Sequence, residues 1–276
     1  MSSNLLRGAD GSGRRAEKPG STPATLVLTG FGKFAGVPEN PTTQLVAELQ
    51  QRRPELLTRV LETSMVGVRQ GLDELDASLA ARDVLPADAI WVHLGVYSSS
   101  KTFRLEHKAY NEADFRVPDE RGESPSHAKI IPDGAPNLSC GFDLDALCSD
   151  VRSSVGIKAR VNVTDDPGRF VCNYVYYSSL ARHGPHVLFV HVPSLATAPP
   201  AVHLEVVESI LDHIANSRLQ HMYSLHGTDA TARLVLGDDT PLQERRAWAE
   251  ENKEDSERVL CTFQDVIEAR TSSAER

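Results

Sequence analysis

Cysteine is scarce in this chain of 276 residues: Cys140, Cys148, Cys172 and Cys261 are the whole complement, and none is paired as CxxC. That argues against a zinc cage and a disulfide framework, and it suits a reducing, cytoplasmic setting. No apolar run is long enough to span a membrane, and residues 1–24 hold no apolar segment of the kind a secretion signal carries. Positive charge is in deficit, with 29 Lys and Arg against 38 Asp and Glu and a net charge of −9. Phosphate binding depends on clustered cations, so a nucleic-acid surface is not expected. What remains is ordinary globular composition, 40% hydrophobic and 24% charged, in a length that fits one large domain.

The organisation follows from patterning. Residues 1–24 are rich in Gly, Ser and Arg and are expected to form a disordered tail. From 25 to 223, apolar strands alternate with amphipathic helices, which predicts an α/β domain with a mostly parallel or mixed sheet. Thr25–Thr29, Ala89–Leu94 and Val187–Val192 read as buried strands, Ala159–Val163 as a further strand, and Leu61–Val68 as a candidate strand. Asn40-Pro41 reads as a helix start, because Asn supplies a cap acceptor and Pro suits the first turn. Helices are expected near 144–151, over about 171–181 and from His203 to about Ser217. Residues 96–139 are polar and weakly periodic, longer than a simple connection should be, which marks them as functional. Residues 224–276 are expected to form a charged extension, partly helical or disordered, in which Val259, Phe263, Val266 and Ile267 recur at helical spacing.

Chemistry is expected around residues 159–192. A strand, the turn Asp165-Asp166-Pro167-Gly168, a helix and a second strand predict a right-handed crossover. That topology brings Cys172, at the helix start, and His191, near the end of the second strand, to one edge of the sheet. The helix macrodipole favours a thiolate there, and an imidazole in reach can take and return a proton, as acyl transfer by a cysteine requires. Each residue alone is more often a packed core group, and topology by itself leaves the case near even.

Several segments carry a resemblance. Gly30-Phe31-Gly32-Lys33-Phe34-Ala35-Gly36 with Asn40-Pro41, then Leu105-Glu106-His107-Lys108-Ala109-Tyr110-Asn111, Phe115-Arg116-Val117-Pro118-Asp119, Phe170-Val171-Cys172-Asn173 and Phe189-Val190-His191-Val192-Pro193 together resemble the pyroglutamyl peptidase I family over about residues 25–220. The resemblance implies a three-layer α/β/α sandwich and a cysteine omega-peptidase that removes an N-terminal pyroglutamyl residue. It casts Cys172 as nucleophile, His191 as base and then acid, and Glu106 as the group that orients the imidazole. Phe31, Phe34, Phe170 and Val171 would form the slot for the ring, with Asn40 nearby, and Arg116 with the backbone N–H of Cys172 would stabilise the oxyanion. The implied partners are small peptides with an N-terminal pyroglutamate. No nucleic acid, membrane, metal or organic cofactor is implied, while monomer and homo-oligomer both stay open. Lys33, Ala35, Ser98–Lys101 and His107 depart from the family pattern. A cysteine hydrolase with altered small-amide specificity, or a non-catalytic binding protein on the same scaffold, are the competing expectations.

Overall fold

The computed structural model describes residues 25–34 and 39–215. The expected tail (1–24) and charged extension (224–276) lie outside the described residues, as do residues 216–223. The chain runs β1 (Leu26–Phe31), α1 (Pro41–Arg52), β2 (Leu57–Leu61), α2 (Met65–Ala80), β3 (Ile90–Val96), β4 (Phe103–Glu106), β5 (Lys108–Tyr110), β6 (Asn137–Ser139), α3 (Leu144–Val155), β7 (Val161–Thr164), α4 (Val171–His183) and β8 (Val187–Val192). A last helix, α5, covers residues 200–215.

Local chemistry sets the boundaries. The Asn40 side chain accepts from the Thr42 amide, and Pro41 occupies the first turn of α1, as expected from sequence. The strand expected over 61–68 is corrected: β2 ends at Leu61, and the Ser64 side chain accepts from the Gly67 amide to start α2. The segment serves two elements, and Ser64 in the polar break Glu62-Thr63-Ser64 is the cap that divides them.

Six strands form one sheet in the order β2-β1-β3-β8-β4-β7. The first four are parallel, β4 is antiparallel to β8, and β7 is parallel to β4. One face buries Leu28, Val92, Leu94, Leu105 and Val190 with Leu45 and Leu49 of α1, Leu147 and Val151 of α3, and Val206 and Ile210 of α5. The other buries Val27, Trp91 and Phe189 with Val68, Leu72 and Leu75 of α2 and Val171 and Val175 of α4. This is the expected three-layer α/β/α arrangement: α1, α2 and α3 each bury one apolar stripe against the sheet, while α4 is buried along nearly its whole surface.

The predicted crossover is corrected as well. Because β4 sits between β7 and β8 and opposes β8, strands β7 and β8 run in opposite directions. The turn 165–170 must therefore carry the chain back before α4 begins. Gly168 takes a positive φ of 80° there, and its amide is held by the Asp166 carboxylate at 3.0 Å.

Residues 96–139 are not a bare loop, since they contain β4, β5 and β6. Asn111 clamps their far arm, bonding Ile131 through both its amide nitrogen (2.7 Å) and its carbonyl oxygen (2.9 Å). Asn173 of α4 holds the near arm by accepting from the Tyr110 amide and donating to the Tyr110 carbonyl, both at 2.8 Å.

Candidate active site

The α2/α4 face of the sheet carries polar residues where a strand buried on both sides should be apolar: Thr29, His93, Glu106 and His191 are all essentially inaccessible. Register explains how they gather. Gly95 of β3 is paired with His191 of β8, and on the other side of β8, Arg104 and Glu106 of β4 stand opposite His191 and Phe189. Opposed residues in adjacent strands project to the same face, so one strip of sheet presents the imidazole between a glycine gap and a carboxylate.

Glu106 Oε1 lies 2.8 Å from His191 Nδ1. A carboxylate accepts only, so this contact fixes the proton on Nδ1 and leaves Nε2 as the basic nitrogen. The other oxygen, Oε2, accepts from the Thr164 hydroxyl at 2.5 Å. Tyr176 of α4 donates to the Glu106 backbone carbonyl at 2.7 Å. Tyr97 meets the His191 ring edge-on at 5.4 Å, and the Phe189 ring lies 4.8 Å from it on the strand side.

Cys172 occupies the second position of α4, with Phe170 as the capping residue. Its sulfur reaches the sheet over Gly95, where a Cβ would lie 2.9 Å from Sγ and 2.7 Å from the Phe189 ring. Only a residue without a side chain leaves room for the thiol over Gly95, the strand partner of His191. The first-turn amides of α4 point toward the same space, as helix N-termini do.

The thiol itself differs from expectation. Burial, then the negative charge of Glu106, push Cys172 up to about 12, and its own backbone amide pulls only part of the way back. The helix end contributes at most about 2 kcal/mol, less than desolvation of an anion in such a site costs.

The residues expected to line the slot divide into two groups. Phe31 and Val171 are buried in the core beneath, while Phe34 and Phe170 are partly exposed with ring centroids 6.1 Å apart. Phe115, which sequence reasoning did not single out, packs edge-on against Phe170 at 4.8 Å and completes an aromatic trio. Asn40 is buried and donates to the Gly32 carbonyl at 3.0 Å, so it shapes the first loop. Arg116 is exposed, and among the described residues no hydrogen bond or ion pair ties it to the thiol, the imidazole or the carboxylate. The cation at Glu106 is instead Arg104, with Nε 3.2 Å from Oε1. Strand alternation alone could have found it, since residues i and i−2 share a face. Elsewhere, a cavity of about 150 Å³ between α1 and the start of α5, lined by Pro41, Leu45, Leu195 and His203, holds none of the proposed catalytic residues. No cluster that could hold a metal ion occurs among the described residues, nor does a helix long and apolar enough to cross a membrane.

One buried group beside the site predicts a pH effect on stability. His93 Nδ1 shares a hydrogen bond of 2.7 Å with the Thr29 hydroxyl, and among the described residues its Nε2 has no partner. Burial, with repulsion from His183, pushes its pKa down to about 3. The unfolded chain binds a proton near pH 6.5 that the folded chain refuses until near 3, so stability present above 6.5 is lost as pH falls through that window. His93→Gln is expected to flatten urea-unfolding free energy against pH between about 6 and 4, by about 1.4 kcal/mol per pH unit for one proton. An unchanged slope would refute the assignment.

Thiol, imidazole and carboxylate on one rim of an α/β/α sandwich define the class, a cysteine peptidase. The comparisons agree: the model of the family described as pyroglutamyl peptidase matches residues 24–208. Human pyroglutamyl-peptidase 1 is 26% identical over 197 residues, covering 70% of this chain and 92% of the human one. Pyrrolidone-carboxylate peptidase 1 of Ralstonia nicotianae is 30% identical over 179 residues, 62% of this chain and 79% of that one. Among solved structures, the pyrrolidone carboxyl peptidases of Thermus thermophilus (TM-score 0.60, 25% identity, 68% of this chain and 100% of that one) and Fervidobacterium islandicum (0.61, 27%, 70% and 99%) share the fold. The chain belongs to the pyroglutamyl peptidase family.

Proposed function

We propose that this protein removes the N-terminal pyroglutamyl residue from small peptides through Cys172, His191 and Glu106. The observation that carries the reading is the Glu106–His191 contact of 2.8 Å, placed in register beside the one glycine over which the Cys172 sulfur lies.

In the proposed reaction the Cys172 sulfur attacks the carbonyl carbon that links the lactam ring to the next residue. As the S–C bond forms, the thiol proton passes to His191 Nε2. The carbonyl oxygen becomes an oxyanion facing the first-turn amides of α4, with the Cys172 N–H the nearest donor. The imidazolium, stabilised by Glu106, then gives its proton to the leaving amine as the C–N bond breaks, leaving a thioester. Water attacks the thioester, His191 takes its proton, and the thiol returns as pyroglutamate leaves.

The substrate ring is small, flat and uncharged, which suits an aromatic slot built on Phe34, Phe170 and Phe115 above the buried Phe31 and Val171. Cys140, Cys148 and Cys172 are free thiols, which supports a place in the reducing cytoplasm. The test is hydrolysis by the full chain of pyroglutamyl-coumarylamide beside the prolyl, alanyl and glutamyl coumarylamides. The reading requires turnover of the first at least about 100-fold above the others, since a site built for the lactam leaves polar groups unpaired with any other residue. Equal rates on all four would overturn the specificity.

A further inference from the structure

Resting on that reading, we propose that Arg104 is a positioning residue whose charge, set on the same carboxylate oxygen that holds His191, fixes the pH range over which the imidazole works as a base.

The placement is specific. Arg104 and Glu106 alternate on β4 and so share the face that His191 occupies across the antiparallel pairing, with Arg104 itself directly opposite His191. Its Nε lies 3.2 Å from Glu106 Oε1 and 3.3 Å from the Thr164 hydroxyl. Nη2 donates to the Asp166 carbonyl at 2.8 Å, in the turn that returns the chain to α4. The guanidinium lies 4.6 Å above the Tyr97 ring, whose edge meets His191. With the side chain only 16% exposed, water screens this charge poorly.

Oε1 therefore accepts from His191 Nδ1 and is ion-paired with Arg104, whose Nε–H donates to the Thr164 hydroxyl. When the imidazole gains a proton, a second positive charge arises within the reach of Arg104. The fixed guanidinium opposes that charge and dilutes the pull of the carboxylate. Among the described residues no other charged side chain is bonded to the imidazole. From α4 come the neutral Cys172 thiol and the Tyr176 hydroxyl, which is spent on the Glu106 carbonyl. Past the end of β3 stands the Tyr97 ring, on which Arg104 is stacked. After β7, Asp165 is paired with His107 and Lys108, and the Asp166 carboxylate with Arg169. On the opposite face, His203 Nε2 is committed to the Pro193 carbonyl.

Arg104→Gln removes the charge, and Arg104→Lys keeps it while shortening the link to Asp166. In Arg104→Gln the acid limb of the kcat/KM profile is expected to move up by about one pH unit, about a tenfold fall at a pH on that limb. Arg104→Lys should stay close to the parent profile. A structural role alone would lower both variants alike with the limb unmoved, and that result, or a shift to lower pH, overturns the proposal. An NMR titration of the His191 ring, assigned by its loss in His191→Gln and recorded in Cys172→Ala protein with and without Arg104→Gln, reads the same shift without turnover. If the parent enzyme proves inactive on pyroglutamyl substrates, the functional reading fails while the titration still decides the role of Arg104.

Discussion

Cys172→Ala is expected to abolish pyroglutamyl turnover, lowering kcat by on the order of 10⁴-fold or more while leaving the protein folded. The sulfur is the sole atom removed, and it makes no hydrogen bond among the described residues that the fold would lose. Its loss leaves a small gap over Gly95, costing about 1 kcal/mol and a melting temperature lower by a few degrees at most. Cys172→Ser tests the same point from the other side. It keeps the shape and offers a hydroxyl that is harder to ionise and a poorer nucleophile, so residual activity should remain far below the parent. The measurement is steady-state hydrolysis of pyroglutamyl-coumarylamide, with circular dichroism as the control for folding. Parent-like turnover by the alanine variant would mean that the chemistry resides elsewhere.

Glu106→Gln should have the next largest effect, on the order of 10³- to 10⁴-fold in kcat/KM, by analogy with the loss seen when the carboxylate of a triad becomes an amide. The carboxylate accepts from His191 at 2.8 Å and from Thr164 at 2.5 Å. A glutamine can present its NH₂ to Nδ1, which would place the imidazole proton on Nε2, facing the sulfur it should deprotonate. The substitution also strands Arg104, 3.2 Å from the former carboxylate and largely buried, so a loss of stability of about 3–5 kcal/mol is expected alongside. The two effects separate by assay at low temperature, where the variant remains folded. A folded Glu106→Gln enzyme within about tenfold of the parent would remove Glu106 from the machinery.

The elevated thiol pKa changes how reactivity should be probed. A cysteine activated at rest would be marked by fast alkylation at neutral pH. Here burial and the Glu106 carboxylate push the thiol pKa up, so slow alkylation of Cys172 at neutral pH is the expected result.

Much of the fold was legible in the residues. The helix start at Asn40-Pro41, the buried strand over Val187–Val192 and the helix carrying Cys172 at its first turn are written in caps and apolar runs, which are local signals. The division between β2 and α2 was not, because Leu61–Val68 mixes Leu, Met and two Val with Glu62, Thr63 and Ser64, and the cap at Ser64 is one hydroxyl. Strands β4 and β5 were hidden by brevity and by charge, since four residues reading Phe-Arg-Leu-Glu resemble a loop until a sheet accepts them. The expected crossover placed Cys172 and His191 on one rim, yet by a route the chain does not take. The antiparallel insertion of β4 and the returning turn at 165–170 bring them together instead.

The sequence by itself determined the α/β class and the cap at Asn40 and, through its family resemblance, pointed to Cys172, His191 and Glu106, because these signals rest on residue type and on neighbours a few positions away. Tertiary structure alone decided strand order, the upward push on the Cys172 thiol, the seating of Arg104 on Glu106 and the aromatic contact of Phe115 with Phe170. Those depend on which residues distant in sequence share a face and exclude water, and desolvation and charge pairing are properties of that assembled neighbourhood, which no single segment of chain contains.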